Sequence, residues 1–187
     1  MKRVLVLIGI VVVILAGAII YLRFFYTKSF SPEANVKFVD ADLKVHVFYN
    51  RPSKKGRVIF ANDGLVPFGK VWRTGANEAT IFETNRDLSF GGQTLSAGKY
   101  SLWTIPNETN WTIIFNKEIP SWGVGFDGQA QRDSAQDAIK FESPAVLQDK
   151  EFEQFTINVE KVGEEMELLF IWDKTLVAAP FTRKMIP

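Results

Sequence analysis

The chain of 187 residues contains no cysteine and only one histidine, His46. The absence of cysteine excludes disulfides, thiolate metal ligands, cysteine nucleophiles and lipidation at a cysteine. A Ser-His-Asp triad would have to use His46, which lies in an alternating strand pattern, and the sequence has no Gly-x-Ser-x-Gly elbow. It also has no glycine loop that leads into a helix to bind phosphate. The sequence therefore predicts neither a cofactor nor a metal site.

An excess of positive charge is also missing, since the net charge is only +1. Four basic residues and no acidic residue lie in the first 30 positions. Removing those four from the total of 22 basic residues leaves 18 against 21 acidic ones, a net charge near −3 for the remainder. Because nucleic-acid-binding proteins carry basic patches, we expect no nucleic-acid partner.

One long hydrophobic run is present, over residues 4–22. As a helix it would span about 28 Å, close to the hydrocarbon thickness of a bilayer. We interpret residues 1–26 as an uncleaved membrane anchor. A cleaved signal peptide is the main alternative, because Ala16-Gly17-Ala18 has the small-x-small form, although residues 19–22 continue the apolar run past it. A buried core helix is a third. The two leading interpretations place the remaining chain outside the cytoplasm, either anchored on the periplasmic or cell-surface side or secreted after cleavage.

The chain after the anchor is predicted to form strands. Residues 27–36 are interpreted as a polar tether and residues 37–187 as one domain. Apolar and polar residues alternate over 43–50, 155–160 and 166–172, with further short strands at 57–60, 80–84, 88–90 and 175–181. Two strands at 100–105 and 111–116 predict a hairpin. About ten strands without a long amphipathic helix indicate an all-β fold, an antiparallel β-sandwich of jelly-roll-like form.

The sequence resembles a known bacterial family in one long motif. That motif is Pro67-Phe68-Gly69-Lys70-Val71-Trp72-Arg73-Thr74-Gly75-Ala76-Asn77-Glu78-Ala79-Thr80, with shorter matches at 49–52, 97–102, 111–116 and 121–123. Over about residues 37–181 the chain resembles the domain of unknown function 2911 family. The resemblance implies an exported bacterial protein and assigns no activity. Residues 61–64 depart from the plainer glycine-containing turn that is usual in the family.

The same motif concentrates the polar chemistry of the chain. Arg73 would clamp a carboxylate, phosphate or sugar acid, while Asn77 and Glu78 would orient hydroxyl groups. Lys70 and Trp122 would lie at the rim of this ligand-binding site, since Trp122 belongs to the glycine-containing loop 117–137.

A structural role for the motif is the alternative. In it, Arg73 pairs with Glu78, Asn77 caps a turn and Trp72 fills the core. Strand alternation also places Trp111 in the core and leaves the position of Trp103 open.

The sequence thus predicts a membrane-anchored, extracytoplasmic binding or accessory module of the bacterial cell envelope, with an envelope glycan or a protein as partner. A small envelope hydrolase is one alternative, using two carboxylates from Asp63, Glu78 and Asp127. It would need them about 5 to 9 Å apart. The other alternative is an envelope scaffold whose apolar loop docks on a partner protein. Convergence of Glu78 with Asp63 or Asp127 in an open cleft would favour the hydrolase.

Overall fold

The structure, a computed structural model, describes residues 2–125 and 127–184. It begins with helix α1 (Lys2–Tyr21), followed by a π-helical turn (Leu22–Tyr26) and a short helix α2 (Thr27–Phe30). No residue of α1 is buried, and its mean hydropathy of 3.1 and its length suffice to cross a membrane. The helix therefore fits a membrane anchor or a signal sequence.

The rest of the described chain is mainly strand. The strands are β1 (Glu33–Asp40), β2 (Leu43–Asn50), β3 (Phe60–Ala61), β4 (Val66–Pro67), β5 (Ile81–Thr84), β6 (Leu88–Phe90), β7 (Gln93–Leu95), β8 (Gly98–Pro106), β9 (Asn110–Asn116), β10 (Asp137–Val162) and β11 (Glu165–Arg183). A single 3-10 turn, Ser134–Gln136, precedes β10. Nine strands form one antiparallel sheet in the order β1-β2-β5-β8-β9-β10-β11-β6-β7, while β3 and β4 make a separate two-residue parallel pair.

The two longest strands connect the two ends of this sheet. The first part of β10 pairs with β9 and its later part with β11, and the β10–β11 register shifts twice, between Leu147 and Phe152 and between Phe152 and Thr156. Such bulges bend a strand and increase its twist. The expected β-rich, antiparallel fold with an N-terminal apolar helix is confirmed, whereas the jelly-roll-like sandwich is still a prediction.

Several boundaries differ from the sequence prediction. The first strand begins at Glu33 and α2 covers Thr27–Phe30, so the range expected to be a polar tether contains regular structure. The strand expected at 57–60 shrinks to Phe60–Ala61, because residues 53–59 form a turn and irregular chain. The separate strand expected at 175–181 is continuous with 166–172 in β11. The division into anchor, tether and domain is itself still a prediction.

The hairpin of β8 and β9 lies at the centre of the sheet and supplies much of the core. Trp103 and Trp111 are both buried, and Trp103 Nε1 donates a hydrogen bond of 2.7 Å to Ser101 Oγ. Burial of Trp111 was predicted, while the position of Trp103 was open. Because β8 is buried along most of its length, a segment that is hydrogen-bonded to it is held firmly in place.

Candidate functional site

The central motif is attached to β8 by backbone hydrogen bonds. The amide of Trp72 donates to the carbonyl of Thr104 over 2.7 Å, and the amide of Thr104 donates back over 3.0 Å. Farther along, the amide of Leu102 donates to the carbonyl of Thr80 over 2.8 Å. The intervening residues 73–79 are therefore a loop fixed to the sheet at both ends.

This loop adopts an unusual backbone that its own side chains stabilise. Thr74 and Asn77 have positive φ angles of 53° and 57°, which cost free energy for residues other than glycine. Thr74 is buried, and its hydroxyl lies 3.1 Å from that of Thr104. The hydroxyl of Thr80 donates a hydrogen bond of 2.8 Å to the carbonyl of Thr74. At Gly75 an added Cβ would lie 2.9 Å from Thr80 Oγ1 and 3.1 Å from the carbonyl oxygen of Asn50. Only glycine leaves room for this approach.

Trp72 joins the loop to an aromatic cluster in the core. Its ring stacks on that of Trp172 with centroids 5.9 Å apart, and meets Phe155 at 4.8 Å and Trp111 at 6.1 Å in edge-to-face geometry. Its indole nitrogen donates 3.0 Å to the carbonyl of Gly75. The predicted core role of Trp72 therefore holds for one side of the ring, but the residue is only half-buried and also lines a cleft.

Arg73 extends from the loop toward the segment around Trp122. Its Nη1 donates 3.2 Å to the carbonyl of Trp122. At Gly123, whose φ is +81°, an added Cβ would lie 3.0 Å from Arg73 Cδ, so the glycine makes room for the arginine stem. Burial lowers the pKa of the Arg73 guanidinium, and the negative charge of Glu78 opposes this shift. Arginine remains protonated in proteins, so Arg73 is a half-buried positive charge.

An open cleft of about 1030 Å³ lies against the loop. Trp72 and Trp172 contribute to its lining, together with four basic side chains: Lys55, Arg57, Lys70 and Arg73. Among the described residues, no aspartate or glutamate lines the cleft. The near-zero net charge of the chain thus conceals a local excess of positive charge.

None of these four cations forms a direct ion pair with a carboxylate among the residues that the structure describes, although the charge of Glu78 acts on Arg73. Lys55 Nζ lies 4.4 Å from the ring centroid of Phe30, and Arg57 donates to the backbone carbonyls of Lys54 and Ser53 over 3.0 and 2.6 Å. The neighbouring Lys54 differs, because its ammonium pairs with Glu151 at 2.8 Å and Asp173 at 2.7 Å. Two adjacent lysines therefore have opposite environments, one neutralised and one facing the cleft.

Asn77 and Glu78 do not line the cleft. They contact residues 27–32, here called the α2 segment. Asn77 Nδ2 donates a hydrogen bond of 3.5 Å to the carbonyl of Ser31. One carboxylate oxygen of Glu78 lies 3.6 Å from Lys28 Nζ, and the other accepts a hydrogen bond of 2.9 Å from Asn50 Nδ2. The Lys28 ammonium also donates to Glu33.

That ion pair with Glu33, together with the negative charge of Glu78, raises the pKa of Lys28 despite some loss of solvation. Arg73 and Glu78, suggested as an ion pair, make no direct contact among the described residues, although the charge of Glu78 still acts on the Arg73 guanidinium.

Of the five predicted ligand residues, Lys70 and Arg73 line the cleft. Trp122 is half-buried and contributes its carbonyl to Arg73. The carboxylates proposed for hydrolysis do not converge there, because Asp63 and Asp127 are exposed in turns outside the lining. Asp127 Oδ1 accepts a hydrogen bond of 3.0 Å from the amide of Gln129. Within the described ranges, no group of three or more candidate metal ligands occurs.

The sequence interpretation missed Lys55, Arg57 and Trp172 as cleft residues. The first two belong to the basic stretch Arg51-Pro52-Ser53-Lys54-Lys55-Gly56-Arg57. That density of positive charge was the available signal, but it was assigned to no site, and Arg57 was placed in the strand predicted over 57–60. Trp172 lies in a regular alternating strand and gave no signal beyond core burial.

The comparison with known families confirms the resemblance seen in the sequence. The family described as protein of unknown function (DUF2911) matches residues 31–181, and the chain belongs to it. The match covers the loop, β8 and most of the cleft lining. No curated protein and no solved structure shows significant similarity to the chain.

Proposed function

We propose that this DUF2911 family member is a membrane-anchored, extracytoplasmic binding module whose ligand occupies the cleft beside Trp72 and Arg73. The observation that supports this most directly is Arg73 itself, a half-buried cation that lines an open cleft and makes no direct ion pair in the described structure. The cleft volume, about 1030 Å³, is at the upper end of the range of small-molecule sites. A strained loop that is fixed at both ends would hold Arg73 in position for binding.

The anchor is part of the proposal. Helix α1 exposes its apolar side chains along its whole length, which supports contact with lipid rather than with a protein core. Neither flank of the helix decides the orientation strongly, since basic residues lie at both ends. The resemblance noted in the sequence implies an exported protein, which supports an extracytoplasmic side that faces the cell envelope.

A binding module fits the cleft better than a hydrolase with two carboxylates. That chemistry needs both carboxyl groups beside one substrate bond. Glu78 contacts the α2 segment instead, and Asp63 and Asp127 lie outside the cleft lining. A basic, aromatic cleft suits recognition of a negatively charged ligand.

Tryptophan fluorescence of the full chain in neutral detergent tests the proposal, because Trp72 and Trp172 line the cleft. The ligands are sugar acids, phosphorylated sugars, neutral glycans, peptides and lipids, each measured with thermal unfolding. We expect one class to change the emission and raise the melting temperature. Arg73→Lys should weaken that ligand about tenfold, because a lysine cannot make the same bidentate contacts. Lys99→Gln, on the exposed part of β8 outside the cleft, should leave binding unchanged.

Absence of any such ligand, or a ligand whose affinity is the same in both variants and the parent, would contradict the cleft as the binding site.

A further inference from the structure

The charge of the cleft specifies the sign of its ligand. Lys55, Arg57 and Lys70 are exposed at its edge, and Arg73 is half-buried within it. Four cations that face one open volume repel one another, and no carboxylate in the described lining offsets them. A ligand with one or more anionic groups would neutralise them and form charge-assisted hydrogen bonds, which are stronger than neutral ones.

The cleft also has an apolar surface that a small inorganic anion would leave uncovered. Leu65 and Phe30 line it and are 44% and 45% exposed. Val71 and the ring of Trp72 are half-buried beside them. Exposed apolar side chains next to a basic rim fit a ligand that has an anionic head and a hydrocarbon part.

The position of the cleft supplies a source for such a ligand. Phe30, the last residue of α2, and Ser31, which follows it, form part of the cleft lining. The ammonium of Lys55 lies over the Phe30 ring. Tyr21, Phe25 and Tyr26 are aromatic and exposed, as side chains at a membrane interface are. Phe30 follows Tyr26 by four residues, which is about 6 Å of helix. The opening therefore lies close to the lipid headgroups of the membrane that α1 would cross.

The helix is held against the domain by several contacts and not by chain connectivity alone. The amide of Arg51 donates 2.8 Å to the carbonyl of Pro32, while Asn77 and Glu78 contact Ser31 and Lys28. These contacts maintain the cleft beside the end of the anchor, so a lipid headgroup at the interface is within reach of the basic side chains.

We propose that the ligand is an anionic phospholipid of the anchoring membrane, with its phosphate against Lys55, Arg57, Lys70 and Arg73 and its upper acyl chain against Phe30 and Leu65. This inference rests on the proposed function, because it takes the same cleft as the binding site. A soluble phosphate ester shares the anionic chemistry but has no hydrocarbon part for the apolar surface.

The experiment uses the full chain in dodecyl maltoside, a neutral detergent, and follows tryptophan emission. All five tryptophans lie at or beyond position 72, so the emission reports the domain and not the anchor helix. The probes are dioleoylphosphatidylglycerol, the zwitterionic dioleoylphosphatidylcholine and soluble glycerol 1-phosphate. We expect saturable binding of the anionic lipid, at least about tenfold tighter than either of the other two probes.

A matched pair of triple variants tests the location. The variant with Lys55→Gln, Arg57→Gln and Lys70→Gln removes three exposed cleft cations. The variant with Lys99→Gln, Lys117→Gln and Lys140→Gln removes three exposed cations outside the cleft, with the same change in net charge. We expect the first to lose at least about tenfold in affinity for the anionic lipid and the second to bind like the parent. Lys70→Gln alone, at an exposed side chain, gives a smaller loss in a variant whose fold is not at risk.

The outcomes separate the inference from the proposed function. Equal losses in both triple variants would reduce the effect to net charge and overturn the inference. Glycerol 1-phosphate binding as tightly as the lipid would overturn the membrane source. If a neutral glycan or a peptide changes the emission through Arg73 and the anionic lipid does not, the binding module stands and its lipid ligand is wrong. Absence of any ligand would overturn both.

Discussion

Residues 71–78, which include most of the loop, have different neighbours in their two halves. Trp72 contacts the aromatic core and lines the cleft together with Arg73, whereas Asn77 and Glu78 contact the α2 segment. Eight consecutive residues thus make two sets of contacts, one around the cleft and one with the α2 segment. The close spacing of an arginine, an amide and a carboxylate in sequence did not bring them to one site.

The backbone explains this separation. In a strand, side chains alternate between two faces, so their directions follow from spacing. Thr74 and Asn77 have positive φ angles, so the backbone between them is not a strand and its side chains do not alternate between two faces. Side-chain direction in such a loop depends on tertiary hydrogen bonds such as that of Thr80 with Thr74, which sequence spacing does not reveal.

Trp72→Ala gives the largest expected effect and tests whether the cleft half of the loop depends on the core. The substitution removes the ring that stacks on Trp172 and meets Phe155 and Trp111. Removal of a tryptophan from such a cluster costs about 3 to 5 kcal/mol of unfolding free energy. Chemical denaturation followed by circular dichroism would measure it. Trp122→Ala, at a half-buried loop residue, should cost clearly less; equal losses would show that Trp72 is not part of the core.

Gly75→Ala gives an intermediate effect and tests the point where the two halves join. The new methyl group would meet Thr80 Oγ1 and the carbonyl of Asn50 within about 3 Å. We expect a loss of about 1 to 3 kcal/mol, the usual cost of overpacking. Gly17→Ala is the matched control, because a Cβ there meets no atom within 4 Å. An unchanged melting temperature for Gly75→Ala would contradict the close packing of the loop.

Glu78→Gln gives the smallest effect and tests the contacts with the α2 segment. It removes the negative charge beside Lys28 but keeps an oxygen that Asn50 can donate to. Partly exposed ion pairs contribute up to about 1 kcal/mol, so the domain should remain folded. The absence of cysteine allows a unique spin label at Ser29→Cys, and its mobility should increase in Glu78→Gln.

Glu108→Gln, at an exposed turn residue, serves as the control for that measurement. If the label in Glu78→Gln is as immobile as in the parent, Glu78 does not hold the α2 segment in place.

The fold was more predictable than the site. Strand β2 was predicted because one of its faces is buried and the alternation is visible. The β8–β9 hairpin, which is buried along most of both strands, was predicted from two mainly apolar runs separated by a polar turn. Strand β1 was missed because its alternating residues are only half-buried and polar side chains are frequent in it. The long apolar run at residues 4–22 was also visible in the sequence, and it corresponds to α1.

The cleft was half predicted. Lys70 and Arg73 were identified because they belong to the motif, but Lys55 and Arg57 come from a turn region 13 to 18 residues earlier in the chain. The short parallel pair of β3 and β4 brings that turn and the motif together, and two-residue pairs leave no periodic signal in the sequence. Convergence of distant cations was therefore invisible before the topology was known.

Hydrogen exchange of the full chain, with and without dioleoylphosphatidylglycerol, tests the central claim most directly. The account predicts slower amide exchange in the segments that line the cleft, residues 52–57 and 65–76, with no change in the β6–β7 hairpin at residues 88–95. The triple variant with Lys55→Gln, Arg57→Gln and Lys70→Gln should lose this protection. Unchanged exchange in both cleft segments at saturating lipid, or protection confined to residues outside them, would contradict the cleft as the ligand site.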